Sequence, residues 1–281
     1  MEEIEVGNKK RKPIVAALLS IITPGLGQVY NGQLKKGIIF YFVIFLLFVF
    51  KGLTGLQYQF YGMLGLLVIG IAFYLFIAGE ALFAALKIKE IILQPYNKWY
   101  YYFLIVIISI GVNIITEDIM KREVLGIKAY KIPSGAMIPT LLIGDHIIVD
   151  LKHYRNDSPK KGDIIVFKYP EDEKKDFIKR VVGVPEDKIE IKDKEVFING
   201  EKLIENYIVH HDQHIKPKEY EPRDNTGPII VPPDSLFVMG DNRDQSYDSR
   251  YWGYVDKKQI RGKALYIYWS KKTDRIGMTI K

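Results

Sequence analysis

Four apolar stretches crowd the first 116 residues and constrain this chain more than anything else in it: Pro13 to Tyr30, Gly37 to Phe50, Tyr61 to Gly79 and Trp99 to Thr116. A bilayer core of roughly 30 Å takes about 20 helical residues. The third and fourth stretches supply that length, and the second reaches it if Lys51 snorkels and Gly52 to Leu56 join it. The first is broken by Pro24-Gly25 and Gly27 and runs out into the polar Gln28 and Asn31. It reads as a re-entrant or interfacial hairpin over residues 13–30. A membrane region, 1–120, is therefore expected to hold that hairpin and spans at about 37–56, 61–79 and 99–116.

The placement of charge sets the expected orientation. If the first stretch returns to its own side, Lys9, Lys10, Arg11, Lys12, Lys35, Lys36, Lys87, Lys89 and Lys98 all fall on one face and Lys51 alone on the other. By the positive-inside rule the crowded face is cytoplasmic, so three spans carry the rest of the chain to the outer side of a cytoplasmic membrane. The basic start followed by Ile14 to Ile22 imitates a secretory signal peptide, but no small-residue cleavage site follows it and further spans do. Trp99 to Phe103 reads as an interfacial aromatic belt, and Glu80, just after the third apolar run, as an acid at the interface. The net charge of +7 is better explained by these basic clusters than by a nucleic-acid surface, and no nucleic-acid partner is expected.

Residues 121–281 are a different kind of chain, holding 30 of the 40 Lys and Arg and 26 of the 33 Asp and Glu. Short β-rich runs recur: Val124 to Ile132, His146 to Leu151, Asp163 to Tyr169, Phe177 to Val184, Lys188 to Ile191, Val196 to Ile198, Leu236 to Met239 and Ala264 to Trp269. Turn chemistry separates them and no long helical period intervenes, which predicts a mostly antiparallel β domain with a hairpin turning at Asp193-Lys194. Residues 201–234, with four prolines between Pro217 and Pro232, read as a loop-rich insertion. His210, His211 and His214 within it read as solvated surface rather than a metal site. The chain has no cysteine, which rules out disulfides, thiolate metal ligands and a cysteine nucleophile.

Three segments carry the chemistry. They are Tyr130-Lys-Ile-Pro-Ser-Gly-Ala-Met-Ile-Pro-Thr-Leu-Leu-Ile-Gly-Asp145, Asp176-Phe-Ile-Lys-Arg-Val-Val-Gly-Val-Pro185 and Gly240-Asp-Asn-Arg-Asp-Gln-Ser-Tyr-Asp-Ser-Arg-Tyr-Trp-Gly253. Lys179 sits among Phe177, Ile178, Val181 and Val182, where desolvation would lower its pKa toward that of a neutral-pH base. Taken alone it reads better as a snorkelling surface lysine on an edge strand, since lysines are seldom fully buried. In order, spacing and wording the three segments resemble the signature boxes of bacterial signal peptidase I, a Ser/Lys endopeptidase that works without metal or cofactor. The resemblance implies a membrane-anchored enzyme that removes signal peptides from exported preproteins. It makes Lys179 the general base, Ser134 an oxyanion-stabilising hydroxyl, Ser246 the hydroxyl that orients the lysine, and Asp248 with Arg250 a bracing ion pair. Tyr130, Ile132, Met137, Leu141 and Ile178 map onto shallow pockets for small substrate side chains.

At the position of the family's nucleophilic serine stands Ala136. A methyl group cannot attack a carbonyl, so acyl transfer is expected to be closed there, unless Ser134, two residues away on the same face of a strand, acts as a displaced nucleophile. A natural pseudoprotease that binds signal peptides without cutting them is the alternative, and an engineered knockout would carry the same residue. Self-cleaving repressors share Ser/Lys chemistry but have no apolar spans.

Overall fold

The computed structural model describes residues 10–88, 90–119 and 126–281. Lys9 and Lys89, counted in the charge argument, lie outside the described residues, as do Val124 and Leu125 and the expected boundary near residue 120. The chain divides into two units, Met1–Leu125 and Gly126–Lys281.

The first unit is helical because its apolar runs lack the alternation of a half-buried strand. Its helices are α1 (Pro13–Ile22), α2 (Leu26–Tyr30), α3 (Leu34–Thr54), α4 (Phe60–Lys87) and α5 (Trp99–Ile119). Among the described residues one helix, α4, is long and apolar enough to cross a membrane, where three such segments were expected; Trp99–Val112 is apolar but shorter. α1 stops at Thr23, and Gly25, at φ +89°, turns the chain into α2. The polar residues expected to lead the hairpin out of the membrane are instead interior. Gln28 and Asn31 are buried, with Gln28 Nε2 donating to the Ile77 carbonyl (2.9 Å) and Glu80 Oε2 (2.7 Å), and Asn31 Nδ2 donating to the Ala81 carbonyl (2.8 Å). α4 continues past Gly79, so Glu80 lies inside the helix and also accepts from Lys36. The donors of Gln28 and Asn31 are thus paired with α4 in apolar surroundings, where an unpaired polar group is costly.

The second unit is the expected antiparallel β domain. Its strands are β1 (Ile127–Lys131), β2 (His146–Asp150), β3 (Ile164–Tyr169), β4 (Asp172–Gly183), β5 (Lys188–Lys192), β6 (Glu195–Ile198), β7 (Glu201–Lys202), β8 (Thr226–Ile230), β9 (Ser235–Met239), β10 (Val255–Asp256) and β11 (Ile260–Trp269), with one helical turn, α6 (Ser249–Trp252). A seven-stranded sheet runs β1-β2-β11-β3-β4-β9-β10 and a four-stranded sheet β7-β6-β5-β8. The β5–β6 hairpin turns at Asp193 and Lys194, both with positive φ, as a two-residue turn matched to strand twist requires. The insertion over 201–234 is less irregular than its prolines suggest, since Thr226–Ile230 is a strand paired with β5. β8 is the last strand of its sheet, and an edge is where a proline such as Pro228 is tolerated.

Alternation along the strands packs apolar side chains on both sides of the large sheet. Ile132, Met137, Leu141, Ile147, Val149 and Ile267 share one cluster, and Ile165, Phe167, Val181, Leu236 and Val238 another. Side chains buried to this degree contribute on the order of 1.5–3 kcal/mol each. This rigid sheet is what positions the three boxes.

Candidate active site

The second box is the C-terminal half of β4, held on both sides: Ile165 of β3 lies opposite Lys179, and Arg180 pairs with Ile164 of β3 and Met239 of β9. A residue in the middle of a sheet cannot snorkel, and Lys179 is only 5% exposed. Its Nζ donates to the Ile178 carbonyl at 3.1 Å and lies 5.2 Å from the centre of the Phe177 ring. Burial pulls its pKa down to about 8, and of the neighbouring charges Asp248 and Asp241 favour the ammonium while Arg250 opposes it. At neutral pH an appreciable fraction of the amine is therefore unprotonated.

The first box leaves β1 after Lys131 and turns. Ile132 extends the β1–β2 pairing by exchanging backbone hydrogen bonds with Gly144 and Asp145, after which residues 134–140 form bends and turns. The expectation that Ser134 and Ala136 share a strand face is thus overturned: β1 ends at Lys131, before either residue, and Pro133 follows where no ladder bond can be donated. Ser134 is exposed and Ala136 half-buried. Asp145 pins the far end of the turn by accepting from the Leu142 amide, Ser270 Oγ and Arg275. The near end is gripped by the third box, whose Asn242 donates its amide to the Ala136 carbonyl and its Nδ2 to the Gly135 carbonyl, both at 3.1 Å.

Gly240 makes this grip possible. A Cβ added there would lie 2.2 Å from Ser246 Oγ and 2.4 Å from the Ala136 carbonyl oxygen, so residues 136, 240 and 246 meet only because position 240 has no side chain. Ser246 is buried, and its hydroxyl is one of the groups that lower the pKa of Asp248. Asp248 and Arg250 form a buried ion pair (Nε to Oδ1 2.8 Å, Nη2 to Oδ2 2.9 Å), not the solvated turn a lone Asp-x-Arg would suggest. Asp248 also accepts the Gly240 amide at 3.0 Å and caps α6, and Arg250 donates to the carbonyls of Arg223 and Arg243. Burial alone would raise the Asp248 pKa, but the adjacent guanidinium holds it below the usual carboxylate value. Removing one partner of such a pair costs about 3–5 kcal/mol.

Of the residues matched to substrate pockets, Ile132, Met137 and Leu141 are at most 2% exposed and belong to the core, with Tyr130 and Ile178 partly buried at its edge. The first three are closed off because the turn folds back over β2 and β11. The geometry adds residues that carried no role in the sequence. Arg180 binds Asp241 through two hydrogen bonds (2.8 and 2.7 Å), and Asp241 also accepts from Thr140 in the first box. Arg243, 1% exposed, is paired through both terminal nitrogens with Glu205. The legible signal was the number of charges in two short boxes that also had to be core. His210 and His214 each place Nδ1 beside a carboxylate, of Asp244 and Asp212 respectively, and no group of side chains suited to hold a metal occurs among the described residues.

The family model described as "Signal peptidase, peptidase S26" matches residues 99–269. The chain is 35% identical over 195 residues to a probable signal peptidase I-2 of Synechocystis sp., covering 66% of this chain and 78% of that protein. It is 42% identical over 149 residues to signal peptidase I of Leptolyngbya laminosa (50% and 68% covered) and 33% identical over 172 residues to signal peptidase IB of Staphylococcus aureus (58% and 87%). A solved signal peptidase I from Enterococcus faecalis V583 is 30% identical with a TM-score of 0.32, covering 38% of this chain and 97% of that one.

Proposed function

Because this chain belongs to the peptidase S26 family of signal peptidases, we propose that it is a membrane-anchored endopeptidase for the signal peptides of exported preproteins, complete except for its nucleophile. The family makes it a serine endopeptidase by resemblance, and Ala136 occupies the position of the missing serine. Lys179 is the base: unprotonated, it takes the proton of a hydroxyl at residue 136 as that oxygen attacks the scissile carbonyl. The backbone amide at 136 and the Ser134 hydroxyl stabilise the oxyanion; its collapse breaks the peptide bond as the Lys179 ammonium gives its proton to the leaving amine, and water deprotonated by Lys179 then hydrolyses the ester, with no metal or cofactor taking part. Ser246 orients the amine, and Asp248 with Arg250 holds the third box in place. The burial of Lys179 in the middle of the sheet, within a chain whose three boxes match the family, carries this reading.

Membrane anchoring is supported by α4 and by the basic residues clustered between apolar runs. The full topology we propose has the hairpin 13–30 returning to the cytoplasmic side and three spans, with the β unit outside. As written, the chain binds signal peptides and does not cut them, which is also what a natural pseudoprotease would do. The test is Ala136→Ser in the full chain, reconstituted in lipid vesicles with a preprotein. Cleavage after a small residue is expected, and a folded variant that leaves the preprotein intact would overturn the cleavage reading in favour of the pseudoprotease.

A further inference from the structure

The segment from Glu205 to Asp212 runs alongside the third box and is bonded to it at Glu205, Val209, His211 and Asp212. The Glu205 carboxylate pairs with Arg243, Val209 exchanges backbone hydrogen bonds with Asp241 (2.9 Å) and Arg243 (3.1 Å), and the amides of His211 and Asp212 both donate to Asp244. Between these anchors the Tyr207 ring lies over the Arg180 guanidinium, 3.9 Å from its carbon, and the Tyr207 hydroxyl donates to Glu205 Oε1 at 2.8 Å. Tyr207 therefore touches the arginine of the second box directly and the arginine of the third through Glu205.

Both arginines lead to the turn that carries residue 136. Arg180 holds Asp241, which accepts from Thr140, and Asp241 precedes Asn242, whose amide donates to the Ala136 carbonyl. Arg243 donates to the Gly240 carbonyl at 3.2 Å, and Gly240 is the point of closest approach to Ser246 and Ala136. A guanidinium stacked on an aromatic face is fixed in plane as well as in charge, and Arg180 needs that plane to meet Asp241 with two parallel bonds.

We propose that residues 205–212 form a positioning strap and that Tyr207 is its key residue, setting the turn at residue 136 through Arg180 and Glu205. The inference rests on reading the three boxes as a signal-peptide-cleaving site, but one arm of its test does not. In the full chain, hydrogen exchange reports the Asn242 amide. Tyr207→Leu, which removes ring and hydroxyl, should speed its exchange about tenfold, the scale of one desolvated cation–π contact, and leave amides of β3 and β11 unchanged. Tyr207→Phe, which keeps the ring, should change it about threefold, the scale of one hydrogen bond. In the Ala136→Ser background, Tyr207→Leu should lower kcat about tenfold with KM within twofold, and Tyr207→Phe should restore most of it, as expected for a contact that orients the reacting turn. Unchanged Asn242 exchange, or an equal acceleration throughout the β unit, would overturn the proposal. If Tyr207→Leu does not fold, Tyr207→Phe decides alone, and no local change in it overturns the strap. If Ala136→Ser itself does not cut, the functional reading fails and exchange still judges the strap.

Discussion

Replacing Lys179 by methionine exchanges a buried amine for an apolar group of similar length and should reveal the free energy stored in that amine. Its pKa falls from the ordinary 10.5 to about 8 on folding. A difference of roughly 2.5 units corresponds to about 3 kcal/mol between the two protonation states. Because the folded pKa is the lower one, the unfolded chain binds more protons between pH 8 and 10.5 and stability rises across that window. Below pH 8 the full penalty applies, and above 10.5 it is gone. Lys179→Met removes the penalty, so at pH 7 the variant should be the more stable by about 2 kcal/mol, once roughly 1 kcal/mol is subtracted for the lost bond to the Ile178 carbonyl. Denaturant unfolding of both full chains in detergent, followed by the fluorescence of Trp252 and Trp269, gives the difference at each pH. Narrowing from pH 8 upward and disappearance or reversal by 10.5 is the expected result. A difference that stays constant over that range would refute the argument that Lys179 is desolvated.

Gly240→Ala forces a methyl into space held by Ser246 Oγ and the Ala136 carbonyl, so it should destabilise the β unit by about 1–3 kcal/mol in denaturant unfolding and abolish any activity gained by Ala136→Ser. For the topology, a cysteine introduced at Ser158 or Asp212 should be labelled by an impermeant maleimide on intact cells while one at Gln94 is protected; protection of the first two would contradict an outer β unit. Any residual cleavage by the chain as written should vanish in Ser134→Ala if that hydroxyl is a displaced nucleophile, and the exposed turn position of Ser134 makes no residual cleavage the expected outcome.

The strands of the β unit were legible because alternation and turn residues coincide: the Asp193-Lys194 hairpin and the central strands β3 and β9 fall where the pattern puts them. β8 was hidden by Pro228, which sequence reasoning counts against a strand and an edge allows. The polar start of β4, Asp172 to Asp176, was hidden because it pairs with β3 alone and stays exposed. In the helical unit, Gln28 and Asn31 looked like an exit to water because nothing in their own segment shows that the backbone of α4 receives them. The same limit applies to the site. Composition around Lys179 favours a surface lysine, and what overturns that reading is a strand on each side of β4. Glu205 and Tyr207 lie in a stretch read as insertion, and their importance comes from Arg243, 38 residues from Glu205, and from Arg180, which lies before the insertion.

The central claim is that a Ser/Lys acyl-transfer site stands complete around residue 136 except for one oxygen atom. The most direct measurement mixes the Ala136→Ser chain with a preprotein, quenches in acid and maps covalent adducts by peptide mass spectrometry. The account predicts an ester of the released signal peptide on residue 136, absent from the unmodified chain and from Ala136→Ser combined with Lys179→Met. Cleavage that persists without Lys179, or an adduct on Ser134 or any other residue in place of 136, would contradict it.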